Sequence, residues 1–209
     1  MRCPACQQPL REGDAACAAC SLTLASLDAH LGIPPQLTAP VADMAKVLSL
    51  SAHRALAESV RALEQRFPEV RAVVITAAVP ANFTPELYSF WLFNRTGLFS
   101  AVEKGGDNHG VMLLCDTEAP RCVASIGYGL EPLLPSSALE TALTAATSHL
   151  LKRNYGSAGT AFFRELERQL NQASHNWPQT FGYSETGTWF ESGTGTLIRT
   201  DTSTDEDLY

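Results

Sequence analysis

Four of the six cysteines are spaced for metal chemistry. Cys3 and Cys6 in CPAC, and Cys17 and Cys20 in CAAC, form two C-x-x-C pairs with ten residues between them. Each pair can turn two sulfurs toward one point, and four thiolates complete a tetrahedral zinc site. Protein would then fill all four positions and leave none for a catalytic water, so the zinc is expected to be structural. Two disulfides would require an oxidising compartment, and a thioredoxin-type pair would require a surrounding βαβ unit. The sequence supplies neither context.

The pattern resembles the minimal zinc ribbons found at the starts of many bacterial proteins, in which two knuckles flank a short hairpin. Gln7 and Ser21 stand where such knuckles often carry glycine. Glycine would ease the turn that lets backbone N–H groups reach the sulfurs.

A second group of residues lies in GGDNHG (105–110), followed later by GYGLEP (127–132). Asp107, Asn108 and Glu131 offer carboxylate and amide oxygens beside glycine backbone, a composition suited to a hard cation or to a phosphate held through one. Acids in neighbouring loops are more often solvated turn residues. GYGLEP is an incomplete dinucleotide fingerprint, and no phosphate-binding G-x-x-x-x-G-K-[ST] loop occurs. His30, His53, His149 and His175 are scattered, with no H-E-x-x-H and no G-x-S-x-G elbow. His149 reads as a partly buried or surface histidine.

The elements that must position these groups fall in the middle of a 209-residue chain. The chain divides by composition into a cysteine-rich start (1–21), a proline-bearing linker (22–40), a periodic domain (41–172) and a tail rich in Gly, Thr and acids (173–209). Leu56, Val60, Leu63 and Phe67 mark a helix that Pro68 stops. RAVVITAAV (71–79) reads as a buried strand. Thr84 and Pro85 read as an N-cap and first helical position, with Leu87, Phe90, Trp91 and Asn94 on one face. GVMLLC (110–115) is the next strand, reached by a parallel crossover, and CVASIG (122–127) returns antiparallel. Ser137 and Glu140 have capping-box spacing, ahead of Leu139, Leu143, Ala146 and Leu150. Gly159, Phe163, Leu166 and Leu170 face inward from the last helix. The fold class is therefore α/β: an α/β/α sandwich on a small mixed sheet, preceded by a zinc-ribbon module.

The hairpin has a geometric consequence. If Cys115 faces Cys122, then Gly110 faces Gly127, and Asp107 and Gly106 approach Leu130 and Glu131. GGDNHG and GYGLEP then converge at one end of the sheet, near the start of the helix at Ser137. Cys115 and Cys122 are close enough for a disulfide, or they pack as small buried hydrophobes.

The order of motifs resembles the TPM domain family. VADMAKVLS (41–49), the strand at 71–79, FTPELYSFWLFNRTGL (83–98), GGDNHGVMLL (105–114), IGYGLEPLLP (126–135) and NYGSAGTAFFRELERQL (154–170) follow that family's elements in register. The resemblance implies divalent-cation binding at the loop acids, with Ca or Mg as the ion, and a weak acid-phosphatase activity in some members. Only Asp107, Asn108 and Glu131 can inherit that role here. His109 is inserted in the DN-x-G element, and Pro135-Ser136-Ser137 replaces a family acid, which lowers the ligand charge.

The net charge of −7 argues against a nucleic-acid backbone as partner. From 173 onward, six acids face one base, Arg199, ahead of the acidic end DTSTDEDLY. No membrane span or secretory leader is legible, so a cytoplasmic chain with reduced thiols is expected. The expected function is a binding or scaffold module that engages protein partners through the ribbon and the aromatic-bearing tail. The alternative is a weak divalent-metal-dependent acid phosphatase acting at Asp107 and Glu131.

Overall fold

The computed structural model describes residues 2–11, 14–37, 39–99 and 109–175. It divides into two compact units, 1–170 and 171–209. Of the second unit, residues 171–175 are described, as the end of a helix. The loop residues Asp107 and Asn108, and the tail with Trp177, Phe181, Tyr183, Trp189 and Phe190, lie outside the described residues.

Four strands form one sheet in the order β1-β2-β3-β4. They are β1 (Val41–Asp43), β2 (Arg71–Ala77), β3 (Gly110–Asp116) and β4 (Arg121–Ile126). The first three run parallel, and β4 returns antiparallel to β3. All seven residues of β3 are buried, as befits an apolar run covered on both faces.

Helices cover the two faces. Alternate residues Val111, Leu113 and Cys115 of β3 enter one core, with α2 (Leu50–Arg66), α4 (Ser136–Leu150) and α5 (Tyr155–His175). Met112 and Leu114 enter the other, with α1 (Leu24–Leu31) and α3 (Pro85–Arg95). This is the expected α/β/α sandwich on a mixed sheet.

Local chemistry sets the helix ends. Ser49 Oγ caps α2 by accepting from Ala52 N–H, and Thr84 Oγ1 caps α3 by accepting from Leu87 N–H, with Pro85 in its first turn. The capping box expected at Ser137 does not form. Pro135 occupies the N-cap of α4 and has no side-chain oxygen to offer, so α4 starts one residue earlier, at Ser136.

Two buried faces also differ from expectation. On α4 the buried stripe is Ala138, Ala142, Ala146 and Leu150, while Leu139 and Leu143 lie at its margin. On α3 the buried set includes Tyr88, Ser89, Trp91, Leu92 and Phe93, with Asn94 exposed. On α4 alanines take the centre and the larger leucines flank it, whereas α3 buries large side chains, Trp91 and Leu92 among them.

The segment read as a linker contains α1. Thr23 and Ser26 form a reciprocal capping box there, and Gly32, at φ 77°, ends the helix. Asp28 on α1 accepts from Trp91 Nε1 at 2.9 Å and pairs with Arg95 of α3. The Arg95 and Trp91 hydrogen bonds hold the Asp28 carboxyl below the usual range.

Helices α2 and α5 approach closely at two glycines. A Cβ on Gly156 would stand 2.8 Å from Ala52 Cβ, and one on Gly159 would stand 2.7 Å from Leu56 Cδ1. Ala52 has no flexible side-chain end that could yield. Gly156→Ala is therefore expected to destabilise the fold by about 1–3 kcal/mol through overpacking, despite the better helix propensity of alanine. Urea unfolding midpoints would measure this, and a stabilised variant would refute the close approach.

Candidate functional site

The two cysteine pairs fold alike. Gln7 N–H donates to the Cys3 carbonyl and Cys3 N–H to the Gln8 carbonyl. Ser21 N–H donates to the Cys17 carbonyl and Cys17 N–H to the Leu22 carbonyl. Gln7 and Ser21 have φ of 62° and 58°, the left-handed conformation that glycine would take more easily. The turn expected of a glycine-bearing knuckle is thus made without glycine.

This turn aims backbone N–H groups at the sulfurs. The N–H groups of Cys20 and Ala19 lower the Cys17 thiol to about 6. The N–H of Gln8 lowers the Cys6 thiol too, but burial and the neighbouring sulfurs of Cys20, Cys17 and Cys3 push it up to about 12. Four sulfurs this close cannot all ionise unless a cation joins them.

The sulfurs stand 3.7 Å apart for Cys3 and Cys20 and 3.5 Å apart for Cys6 and Cys17, and all four lie within 4.8 Å of one another. Cys3 and Cys17 are buried and Cys20 is exposed. These four residues can hold one metal ion. Among the described residues, no other group of three or more His, Cys, Asp or Glu does so.

The loop cluster is placed in part. Gly127 N–H donates to the Gly110 carbonyl at 2.9 Å, so these glycines do face each other. A 3-10 turn (Tyr128–Leu130) follows, and Glu131 ends it with its N–H on the Tyr128 carbonyl. His109 lies just before β3, its carbonyl accepting from Arg71 N–H. Asp107 and Asn108 lie outside the described residues, so of the three proposed ligands only Glu131 is placed.

Two acids that the sequence reading did not single out sit at the opposite end, where the parallel strands finish. Open α/β sheets commonly place ligands there. Asp43, at the end of β1, accepts from Thr76 Oγ1 and from the N–H groups of Val47 and Leu48. Asp116, at the end of β3, accepts from the N–H groups of Val79 and Glu118. These carboxylates close loops. Burial works to raise the Asp43 pKa, but the hydrogen bonds from Thr76, Leu48 and Val47, with the nearby His53, overcome it and hold the carboxyl low.

Glu131 also lines a groove of about 720 Å³. One wall is the cysteine module, through Arg2, Pro4, Gln7 and Pro9. The other is β4, from Val123 to Ile126, with Glu86 and Phe90 of α3 and the chain around Leu134 and Leu139. Among the described residues, no strand pairs with the outer side of β4.

Backbone direction along β4 follows from the Gly110/Gly127 pair. In an antiparallel ladder, hydrogen-bonded and non-hydrogen-bonded pairs alternate. Val123 and Ser125 therefore bond β3, while Cys122, Ala124 and Ile126 point their N–H and C=O groups away from it. Ser125 is further tied to α3 through the Ser89 hydroxyl at 2.8 Å.

The fold and site together define a three-layer α/β domain preceded by an amino-terminal cluster of four cysteines that could hold a metal ion. The chain belongs to the TPM domain family, whose model matches residues 41–169. No curated protein matches it. Among solved structures it is similar to the N-terminal domain of a protein from P. gingivalis, at 22% identity and a TM-score of 0.54, covering 64% of this chain and 82% of that one. It is also similar to the N-terminal domain of a Corynebacterium glutamicum protein, at 13% identity and a TM-score of 0.48, covering 64% and 82%. No helix among the described residues is long and apolar enough to cross a membrane.

The Asp43 contacts predict an acid-sensitive fold. A depressed carboxylate contributes stability that is complete above its unfolded pKa of about 3.9 and is lost as pH falls through the folded value. Asp43→Ala is expected to cost about 3 kcal/mol, since three donors lose a charged acceptor. The remaining stability should vary less with pH below about 4 than in the wild type. Urea titrations from pH 3 to 7 would check both, and parallel pH curves for the two proteins would contradict the assignment.

Proposed function

We propose that the chain is a non-catalytic binding module that seats an extended segment of a protein partner in the groove between a zinc ribbon and the open edge of β4. The observation that carries this reading is the construction of the groove. One wall is β4, whose outer side no strand among the described residues pairs and whose Ala124 and Ile126 backbone groups point outward, and the other is the cysteine module. An extended segment added to a sheet edge gains main-chain hydrogen bonds, while pockets on either side select its side chains. Val123, Ile126, Phe90 and Leu139 supply apolar surface, and Glu86, Glu131 and Arg2 supply polar ends.

Zinc is the ion that this donor set favours. Sulfurs at about 2.3 Å from a tetrahedral zinc stand about 3.8 Å apart. The 3.5 and 3.7 Å separations are close to that spacing. Bound zinc would join the knuckles electrostatically and hold the ribbon wall in shape, with Cys3, Cys6, Cys17 and Cys20 as its ligands.

Purified full-length protein is expected to carry one zinc per chain by elemental analysis. Cys17→Ser should lose it, and metal-free preparations of the wild type would refute the ribbon assignment.

The edge itself is tested by Ala124→Pro. Proline there removes an N–H that points outward and leaves the β3 ladder intact. Partner capture by the full chain is expected to fall at least tenfold while zinc content and circular dichroism stay unchanged. Undiminished capture would overturn strand addition as the binding mode.

A further inference from the structure

The side chains of Cys115 and Cys122 belong neither to the cysteine module nor to the lining of the groove. They are directly opposed across the β3–β4 ladder. Gly110/Gly127 is a hydrogen-bonded pair, and the register runs without interruption from Val111/Ile126 to Asp116/Arg121. Five positions from Gly110, Cys115/Cys122 is therefore a non-hydrogen-bonded pair, the type in which opposed side chains approach most closely. Both side chains lie on the same face of the sheet, Cys115 within the α2/α4/α5 core and Cys122 packed against it. Their sulfurs are 2.8 Å apart, nearer than the Cys3–Cys20 and Cys6–Cys17 pairs of the cysteine module.

The two thiols differ in access. Cys115 is fully buried, whereas Cys122 is half-buried on the edge strand. Sharing a hydrogen bond with Cys122, followed by burial and the charge of that neighbour, keeps the proton on Cys115 and pushes its thiol well up. A buried thiol of that kind attacks poorly on its own but stands ready to resolve an oxidised neighbour.

We propose that Cys115 and Cys122 form a reversible dithiol–disulfide pair, with Cys122 as the sulfur that meets the oxidant and Cys115 as the resolving sulfur. With hydrogen peroxide as oxidant, the Cys122 sulfur attacks one peroxide oxygen. An S–O bond forms, the O–O bond breaks, and the departing oxygen leaves as water with the thiol proton. The Cys115 sulfur then attacks the Cys122 sulfenic acid. The S–S bond forms, the S–O bond breaks, and a second water leaves. Two thiols lose two electrons in total, and one peroxide becomes two waters. A small-molecule dithiol reverses the change by exchange. The bond staples the edge strand to β3 beside Val123 and Ala124, so oxidation fixes β4 without removing its outward N–H groups. This chemistry is independent of whether the groove binds a partner.

The test is a non-reducing tryptic map of the zinc-loaded full chain after treatment with one equivalent of hydrogen peroxide. Cleavage after Arg121 places Cys115 in peptide 105–121 and Cys122 in peptide 122–152. The expected product is these two peptides joined by a bond that dithiothreitol breaks. In Cys115→Ala the Cys122 sulfur should persist as a sulfenic acid that a 1,3-dione probe labels, and in Cys122→Ser neither product should form. Recovery of both peptides unjoined and alkylatable after peroxide, with oxidation confined to the ribbon cysteines, would overturn the proposal. So would labelling of wild-type Cys122 equal to that in Cys115→Ala.

Discussion

The pairing of β3 on both of its sides is the constraint from which the rest follows. Gly110 to Asp116 is wholly buried, so its backbone groups must find partners in protein. Parallel bonding to β2 and antiparallel bonding to β4 satisfy them and leave no freedom of register. A slip of one residue would exchange Leu113 and Cys115 with Met112 and Leu114 between two different cores. That fixed register decides which faces the helices cover. It also sets Cys115 against Cys122 and turns the backbone of Ala124 outward.

The cysteine module obeys a different economy. It has almost no apolar core of its own, and its order comes from turns that direct N–H dipoles at sulfur. Gln7 and Ser21 adopt a conformation that costs an ordinary residue on the order of 1 kcal/mol. The repeated hydrogen bonds of both knuckles offset that strain. The departure from glycine at these positions changes the cost of the turn but leaves its shape intact.

Much of this was legible in the sequence. The long apolar or periodic segments announced β2, β3, α2 and α5, and the Cys115/Cys122 register followed from loop length alone. The misses have physical causes. β1 spans three residues, too few for any period to show, and owes its place to pairing with β2. α1 was obscured by the prolines that follow it, although Thr23 and Ser26 carry a capping signal and Leu24, Leu27 and Leu31 are spaced for one face. The buried face of α3 turns toward Tyr88, Ser89 and Leu92, and that of α4 is not the one its leucines suggest. Close approach of α4 to the sheet favours alanine at its centre. Asp43 and Asp116 went unnoticed because an acid that closes a loop has no distinguishing composition. Asp107 and Asn108, which the family resemblance emphasised, lie outside the described residues.

The groove has two walls of unlike origin. The β4 wall is held by a hydrophobic core and a hydrogen-bonded ladder and persists whenever the domain is folded. The wall formed by Arg2, Pro4, Gln7 and Pro9 belongs to the cysteine module, whose four sulfurs could hold a metal ion. Were an ion bound there to order the ribbon, its removal would leave the strand edge and loosen the surface opposite it. The same polypeptide would then present an open shelf in place of a cleft.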